Sequence, residues 1–339
     1  MCYKIEVQNK NAEKLNRKLD ELNAPQFLRD YLNELESKSG ALNYLVAIKD
    51  FLQWLIESNI IKKKSISEIE VSDFSDLRPQ NVSSYLRYKE MNGMSPTTTE
   101  TRKNIIKSFI ENVYSYRECL LRELYNSMED FSKQIKYKGI SSKNNLTQKL
   151  PTEKQLNDME EKIMWKKDEC VRNRNIAIFR VLRGTGIRES ELAGLDLSDL
   201  HLDENDEYID LNDMSHIMVL PKGYQRETEK RPVYLTGSAL KALREWLEYR
   251  STLDNIVDKE AVFVNKNGTR TTERNIKQIF ENYGNGITPH MMRHYYASIM
   301  NQNGNLAFVQ QQLGHSSVNT TVNNYANGAV GMKDVLDNM

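Results

Sequence analysis

The run Gly139-Ile140-Ser141-Ser142-Lys143-Asn144-Asn145-Leu146-Thr147-Gln148-Lys149-Leu150 is polar and aperiodic, in a chain of 339 residues whose other segments carry regular apolar patterns. Such a stretch reads as a linker, and it separates two halves of different character. N-terminal to it the periodicity is helical. Phe27, Tyr31, Leu32 and Leu35 recur at helical spacing, and Leu42, Leu45, Ile48, Phe51, Leu52 and Leu55 continue the pattern in a longer segment. Residues 82–90 form a third segment. Ser95-Pro96 then supplies an N-cap and a proline at the first helical position for a fourth, with Ile105, Ile106, Phe109, Ile110 and Val113 on its apolar face. The expectation is an all-α domain over 25–138, preceded by an N-terminal extension, 1–24.

C-terminal to the linker, Thr152 and Gln155 have the form of a capping box, followed by Leu156, Met159 and Ile163 at helical spacing. Residues 175–182 are apolar nearly all round, as a central buried helix requires. The period then changes to two: Ile217 and Val219, then Val233 and Leu235, predict short strands around Pro221-Lys222-Gly223, a hairpin with a longish loop. Helices resume over 238–249, 273–283, 289–301 and 306–313. The fold class expected is mainly α: a helical domain, the linker 139–150, and an α+β domain over 151–339 with a small hairpin sheet and a C-terminal tail.

Composition narrows the function. With 39% hydrophobic and 28% charged residues the chain is an ordinary globular protein, long enough for about two domains. No apolar run approaches the ~18–20 residues of a spanning helix, and Met1-Cys2-Tyr3-Lys4-Ile5-Glu6 does not open a secretory signal, so a cytoplasmic protein without a membrane partner is expected. Cys2, Cys119 and Cys170 lie too far apart for a Cys-x-x-Cys pair, which argues against a zinc site or a disulfide framework. Lys+Arg and Asp+Glu both total 47, so net charge alone argues for no nucleic-acid partner and the distribution must decide. Between residues 131 and 150 stand Lys133, Lys136, Lys138, Lys143 and Lys149 and no acid, whereas residues 199–213 carry acids and no Lys or Arg. The first stretch can face phosphates or simply be a solvated loop; the second cannot face phosphates.

Three of the five histidines fall in Thr288-Pro289-His290-Met291-Met292-Arg293-His294 and Leu313-Gly314-His315. Thr288 is a good N-cap and Pro289 a good first residue. His290 and Arg293 then share a face of a helix's first turns, where the dipole favours an anion. His290 and His294 also have the spacing of two helical metal ligands. Met291, however, stands where a His-Glu-x-x-His protease has its glutamate, and Arg293 would set a permanent charge beside the ion. No metal and no cofactor is expected, and His294 reads as a packed, hydrogen-bonded histidine.

Taken in order, Gly184-Thr185-Gly186-Ile187-Arg188-Glu189-Ser190-Glu191-Leu192, then Lys222, His290-x-x-Arg293, Leu313-Gly314-His315 and Tyr325 resemble the signature of the tyrosine recombinases, or phage integrases. The helical first half resembles their core-binding domain in layout. The resemblance implies a site-specific recombinase that cuts and rejoins double-stranded DNA through a covalent 3′-phosphotyrosine. It further implies a homotetramer on the recombination site, with the C-terminal tail exchanged between protomers. Tyr325 matches the nucleophile, Lys222 the general acid for the departing 5′-oxygen, His315 a phosphate hydrogen-bonding position and Glu191 an acidic residue that orients the site.

The chemistry is consistent with these residue types. A pentacoordinate phosphorus concentrates negative charge on its non-bridging oxygens, and the two matched arginines, Arg188 and Arg293, offer forks that hold them without Mg²⁺. A phenol of pKa about 10 needs a base or a cationic site, and His290 is placed to help. Each residue alone has a plain alternative: a surface Arg188–Glu191 ion pair, a solvated Lys222, a packing Tyr325. Tyr325 lies ten residues after His315, where the family usually has nine. One extra helical residue turns a side chain by about 100° and advances it about 1.5 Å, so a bulge or loop within 316–324 is expected. The linker lysines would then cross the phosphate backbone. With only about 25 residues before the first expected helix, an additional arm-binding domain of about 50 residues or more is not expected. A type IB topoisomerase and a catalytically silent DNA-binding accessory protein are the competing functions.

Overall fold

The computed structural model describes residues 3–115, 134–135, 137, 150–203, 214–221, 229–235, 237–303 and 306–314. Lys133, Lys136, Lys138, Lys143, Lys149, Lys222, His315, Tyr325 and the tail beyond lie outside the described residues. The chain divides into two compact units, Met1–Leu146 and Thr147–Met339.

The first unit is helical: α1 (Tyr3–Glu21), α2 (Gln26–Glu34), α3 (Lys38–Glu57), α4 (Pro79–Met91) and α5 (Pro96–Ser115). The apolar faces of α2, α3 and α5 meet in one core, where Phe27, Phe74 and Phe109 pack ring against ring. Ser95 caps α5 by accepting from the Thr98 N–H at 3.3 Å. One half-buried network ties three helices together. Asp50 of α3 accepts from Lys89 Nζ at 2.7 Å and from the Tyr85 hydroxyl at 2.7 Å, both on α4, and pairs with Arg102 of α5. Burial alone would raise the Asp50 pKa, but the hydrogen bonds from Lys89 and Tyr85 and the Arg102 charge outweigh it and hold the carboxyl below its ordinary value.

The segment read from sequence as an extension, 1–24, contributes α1 to this same core. Leu15 and Leu19 are fully buried and α1 packs on α3. The apolar stripe is narrow, Ala12, Leu15, Leu19 and Leu22 among charged neighbours, yet its spacing is helical.

In the second unit, α6 (Glu153–Met164) opens on the expected capping box, with Thr152 Oγ1 accepting from the Gln155 N–H. The central helix α7 (Glu169–Thr185) is capped by Asp168, and Ile176, Ala177, Ile178, Phe179, Val181 and Leu182 are all buried. A single turn, α8 (Glu189–Ala193), leads to a three-stranded antiparallel sheet of β1 (Leu200–His201), β2 (His216–Val219) and β3 (Arg231–Tyr234), in the order β1-β2-β3. The expected hairpin is the β2–β3 pair, registered Ile217 with Val233 and Val219 with Arg231. The sheet is followed by α9 (Gly237–Ser251), α10 (Glu273–Tyr283), α11 (Pro289–Asn303) and α12 (Leu306–Leu313). α7 packs against α6, α9 and α11. Among the described residues, no helix is long and apolar enough to cross a membrane.

Two contacts bring distant parts of this unit together. α7 ends on Gly186 at φ +63°, where a Cβ would lie 2.6 Å from the Tyr296 ring of α11, so only glycine lets the helix end come so close. Val309 and Leu313 of α12 are buried with Tyr234, Tyr296 and Met300, which docks α12 across α11 and the end of β3.

Candidate active site

Glu191 lies at the centre of a charged cluster with its side chain 1% exposed. Its Oε2 accepts the Arg188 backbone N–H at 2.9 Å, closing the first turn of α8, while Oε1 accepts from Arg188 Nη1 at 2.9 Å. From the other side Arg231 Nη2 reaches Oε2 at 3.3 Å. One buried carboxylate thus holds two guanidinium groups and leaves a net positive corner.

Arg293 on α11 is 5% exposed and donates to two backbone carbonyls, Gly186 O at 2.8 Å and Leu313 O at 2.5 Å. Arg231 Nη1 donates to Gln312 O at 2.5 Å and Gln311 O at 3.2 Å. Arginines from α11 and β3 therefore cover the last carbonyls of α12, the negative end of its dipole. Gln312 fixes that helix laterally: its amide accepts from Tyr234 N at 2.9 Å and donates to Tyr234 O at 3.2 Å, as a neighbouring strand would. Burial pushes the Arg231 guanidinium below its ordinary value, and the nearby Glu191 charge opposes the shift.

Thr288 caps α11 by accepting from Met291 N at 3.2 Å, which sets His290 on the exposed first turn. His290 Nε2 and His294 Nε2 lie 2.9 Å apart, so one imidazole donates to the other. Burial, then the His290 and Arg293 charges, hold His294 below the ordinary histidine value. In the hairpin, Lys230 Nζ is paired at 2.5 Å with Asp199, their side chains only 11% and 6% exposed. Among the described residues no group of three or more His, Cys, Asp or Glu could hold a metal ion.

Of the residues singled out in the sequence, Arg188, Glu191 and Arg293 are thus brought to one corner. His290 stands on the first turn of the helix that carries Arg293. Sequence reasoning missed Arg231 and Gln312, although a signal for each was present. The two-residue period that places Val233 and Leu235 inward also turns Arg231 inward, and the helical face of Val309 and Leu313 includes Gln312.

A helical unit with a small antiparallel sheet, in which arginines and a carboxylate converge on a helix end, defines a recognisable class. The model of the phage integrase family matches residues 152–331, and the chain belongs to that family. Among curated relatives, tyrosine recombinase XerC of Neisseria gonorrhoeae is 37% identical over 155 residues, 44% of this chain and 45% of the relative. The chain thus spans about half the length of the first such relatives it matches. XerC of Leptospira interrogans is 27% identical over 310 residues, 88% of this chain and 90% of the relative. Among solved structures, XerH bound to its difH substrate has a TM-score of 0.59 at 21% identity, covering 86% of this chain and 78% of that one. The Tn1549 transposon integrase in complex with transposon right end DNA has a TM-score of 0.57 at 17% identity, covering 89% and 94%. At these identities the structural likeness is one of fold.

Proposed function

We propose that this chain is a site-specific DNA recombinase that cuts and rejoins strands through a 3′-phosphotyrosine on Tyr325. The observation that supports it most is that the Arg188–Glu191 pair, through Arg231, and Arg293, beyond the sheet, α9 and α10 in the chain, are tied to one helix end, which precedes Gly314 and His315 in the sequence.

In this reading the scissile phosphate sits against the Arg188 and Arg293 guanidinium groups, which neutralise charge as phosphorus becomes pentacoordinate. The Tyr325 oxygen attacks phosphorus and loses its proton with the help of His290, while His315 hydrogen-bonds a non-bridging oxygen. The P–O bond to the 5′-oxygen breaks, and Lys222 supplies the proton that the departing alkoxide needs. Lys230, the other lysine of the hairpin, is committed to Asp199 and is the weaker candidate for that step. Rejoining reverses these steps with a 5′-hydroxyl as nucleophile. Residues 25–138, together with the α1 segment, serve as the core-binding domain, and 151–339 as the catalytic domain. Lys133, Lys136, Lys138, Lys143 and Lys149 contact phosphates as the protein encloses its site. The active assembly is a homotetramer on double-stranded DNA, its tail residues Val330, Val335 and Leu336 docking on a neighbouring protomer.

The test begins with a library of nicked duplexes carrying a randomised centre, from which the wild-type protein selects substrates that trap a denaturation-resistant adduct. Tyr325→Phe is expected to bind the selected duplex and form no adduct. An adduct that persists in this variant, or that maps by peptide sequencing to another residue, overturns the assignment.

A further inference from the structure

Arg231 is the third guanidinium of the corner, and no step above uses it. Its side chain is 14% exposed and bridges two elements that no other described side chain joins: the Glu191 carboxylate, through Nη2, and the final carbonyls of α12, through Nη1. The fork is tightly enclosed. Its Nε–H is buried with no hydrogen-bond partner among the described residues, and a Cβ on Gly314 would lie 2.4 Å from that nitrogen. A buried charge with an unsatisfied donor is a poor device for stability alone, since well-packed apolar groups commonly do as well or better. What a planar fork does that an apolar group cannot is fix the distance and angle between a carboxylate and a helix end. The carboxylate orients Arg188. Gly314, at φ +63°, follows the helix end, and His315 is the next residue in the sequence.

We propose that Arg231 is a positioning residue for strand cleavage, setting Arg188 and the C-terminal end of α12 in mutual register through Glu191 and the α12 carbonyls. It touches neither DNA nor the reacting atoms. The inference rests on the recombinase reading above.

The experiment uses the full chain and the duplex selected by the wild-type protein. Adduct formation is followed in single turnovers at saturating DNA, and affinity is measured separately. Arg231→Met removes the fork; Arg231→Lys keeps the charge but cannot span both partners. Both are expected to fold, by circular dichroism, and to bind the duplex with unchanged affinity. Both should form adduct about 100-fold more slowly, the scale of a misplacement of about 1 Å. Arg231→Met combined with Glu191→Gln should be no slower than the slower single variant, because both act through one linkage. Adduct formation at the wild-type rate in either variant, equal losses of affinity and rate, full additivity in the double variant, or failure of both single variants to fold overturns the proposal. Absence of any Tyr325 adduct with the wild-type protein is a different result: it defeats the recombinase reading itself, and this inference with it.

Discussion

Gly314 has space for a hydrogen and nothing more. Its φ of +63° already disfavours an L side chain, and a Cβ would meet Arg231 at 2.4 Å. Gly314→Ala is therefore expected to destabilise the second unit by about 1–3 kcal/mol, read by urea unfolding, through backbone strain and a displaced guanidinium. Glu191 presents the opposite case, a side chain whose loss leaves something uncompensated. An exposed ion pair is worth about 0–1 kcal/mol, but breaking a buried one costs about 3–5, so Glu191→Ala should approach the larger figure in the same measurement. His294 adds a pH dependence. Its folded-state pKa is lowered, so the unfolded chain binds the proton more readily. This contribution is full above the unfolded value of about 6.5 and is lost as pH falls through the folded one. Comparing His294→Gln with wild type by thermal unfolding from pH 7 to 5 should give the variant the flatter profile. Arg188, Glu191 and Arg293 were picked out through an ordered set of motifs that resembles the family signature, and His290 and Arg293 also by sharing a face of one helix's first turns. Arg231 was missed although the two-residue period turns it inward, because its partners, Glu191 and the end of α12, are distant in the chain.

The elements differ in how clearly they announce themselves. α2, α3 and α5 carry apolar residues at every turn, and α5, α6 and α11 open on caps visible in the sequence. α1 escaped because its stripe is a single file of small and medium apolar residues in a charge-rich helix, and propensity alone cannot say that such a helix is docked. β1 has two residues, too few for any period. Burial makes α1 testable: Leu15→Ala or Leu19→Ala should each cost about 2–5 kcal/mol, read by chemical denaturation of the first unit. The α3–α4–α5 network makes a second prediction. The Asp50 carboxyl is held below its ordinary value, so its contribution is full above the unfolded pKa of about 3.9 and is lost as pH falls through the folded one. Asp50→Asn should lower stability at neutral pH and narrow the gap to wild type between pH 4 and 2, followed by fluorescence in a urea series.

For the whole molecule, each unit has its own buried apolar core. The five lysines near the polar connector bear on the proposed binding of DNA. If each neutralises one phosphate, exchanging all five for glutamine should flatten the plot of log affinity against log salt by up to about 0.9 for every phosphate left without its lysine. An unchanged slope would make them ordinary solvated residues. The chain also carries a thermodynamic consequence at its positive corner. Arg293 is held by carbonyls from the ends of α7 and α12, so its rotamer freedom, about 2 kcal/mol for a free arginine, is surrendered when the unit folds. An anion arriving there meets a guanidinium already immobilised, and the entropy of ordering it is absent from the association step.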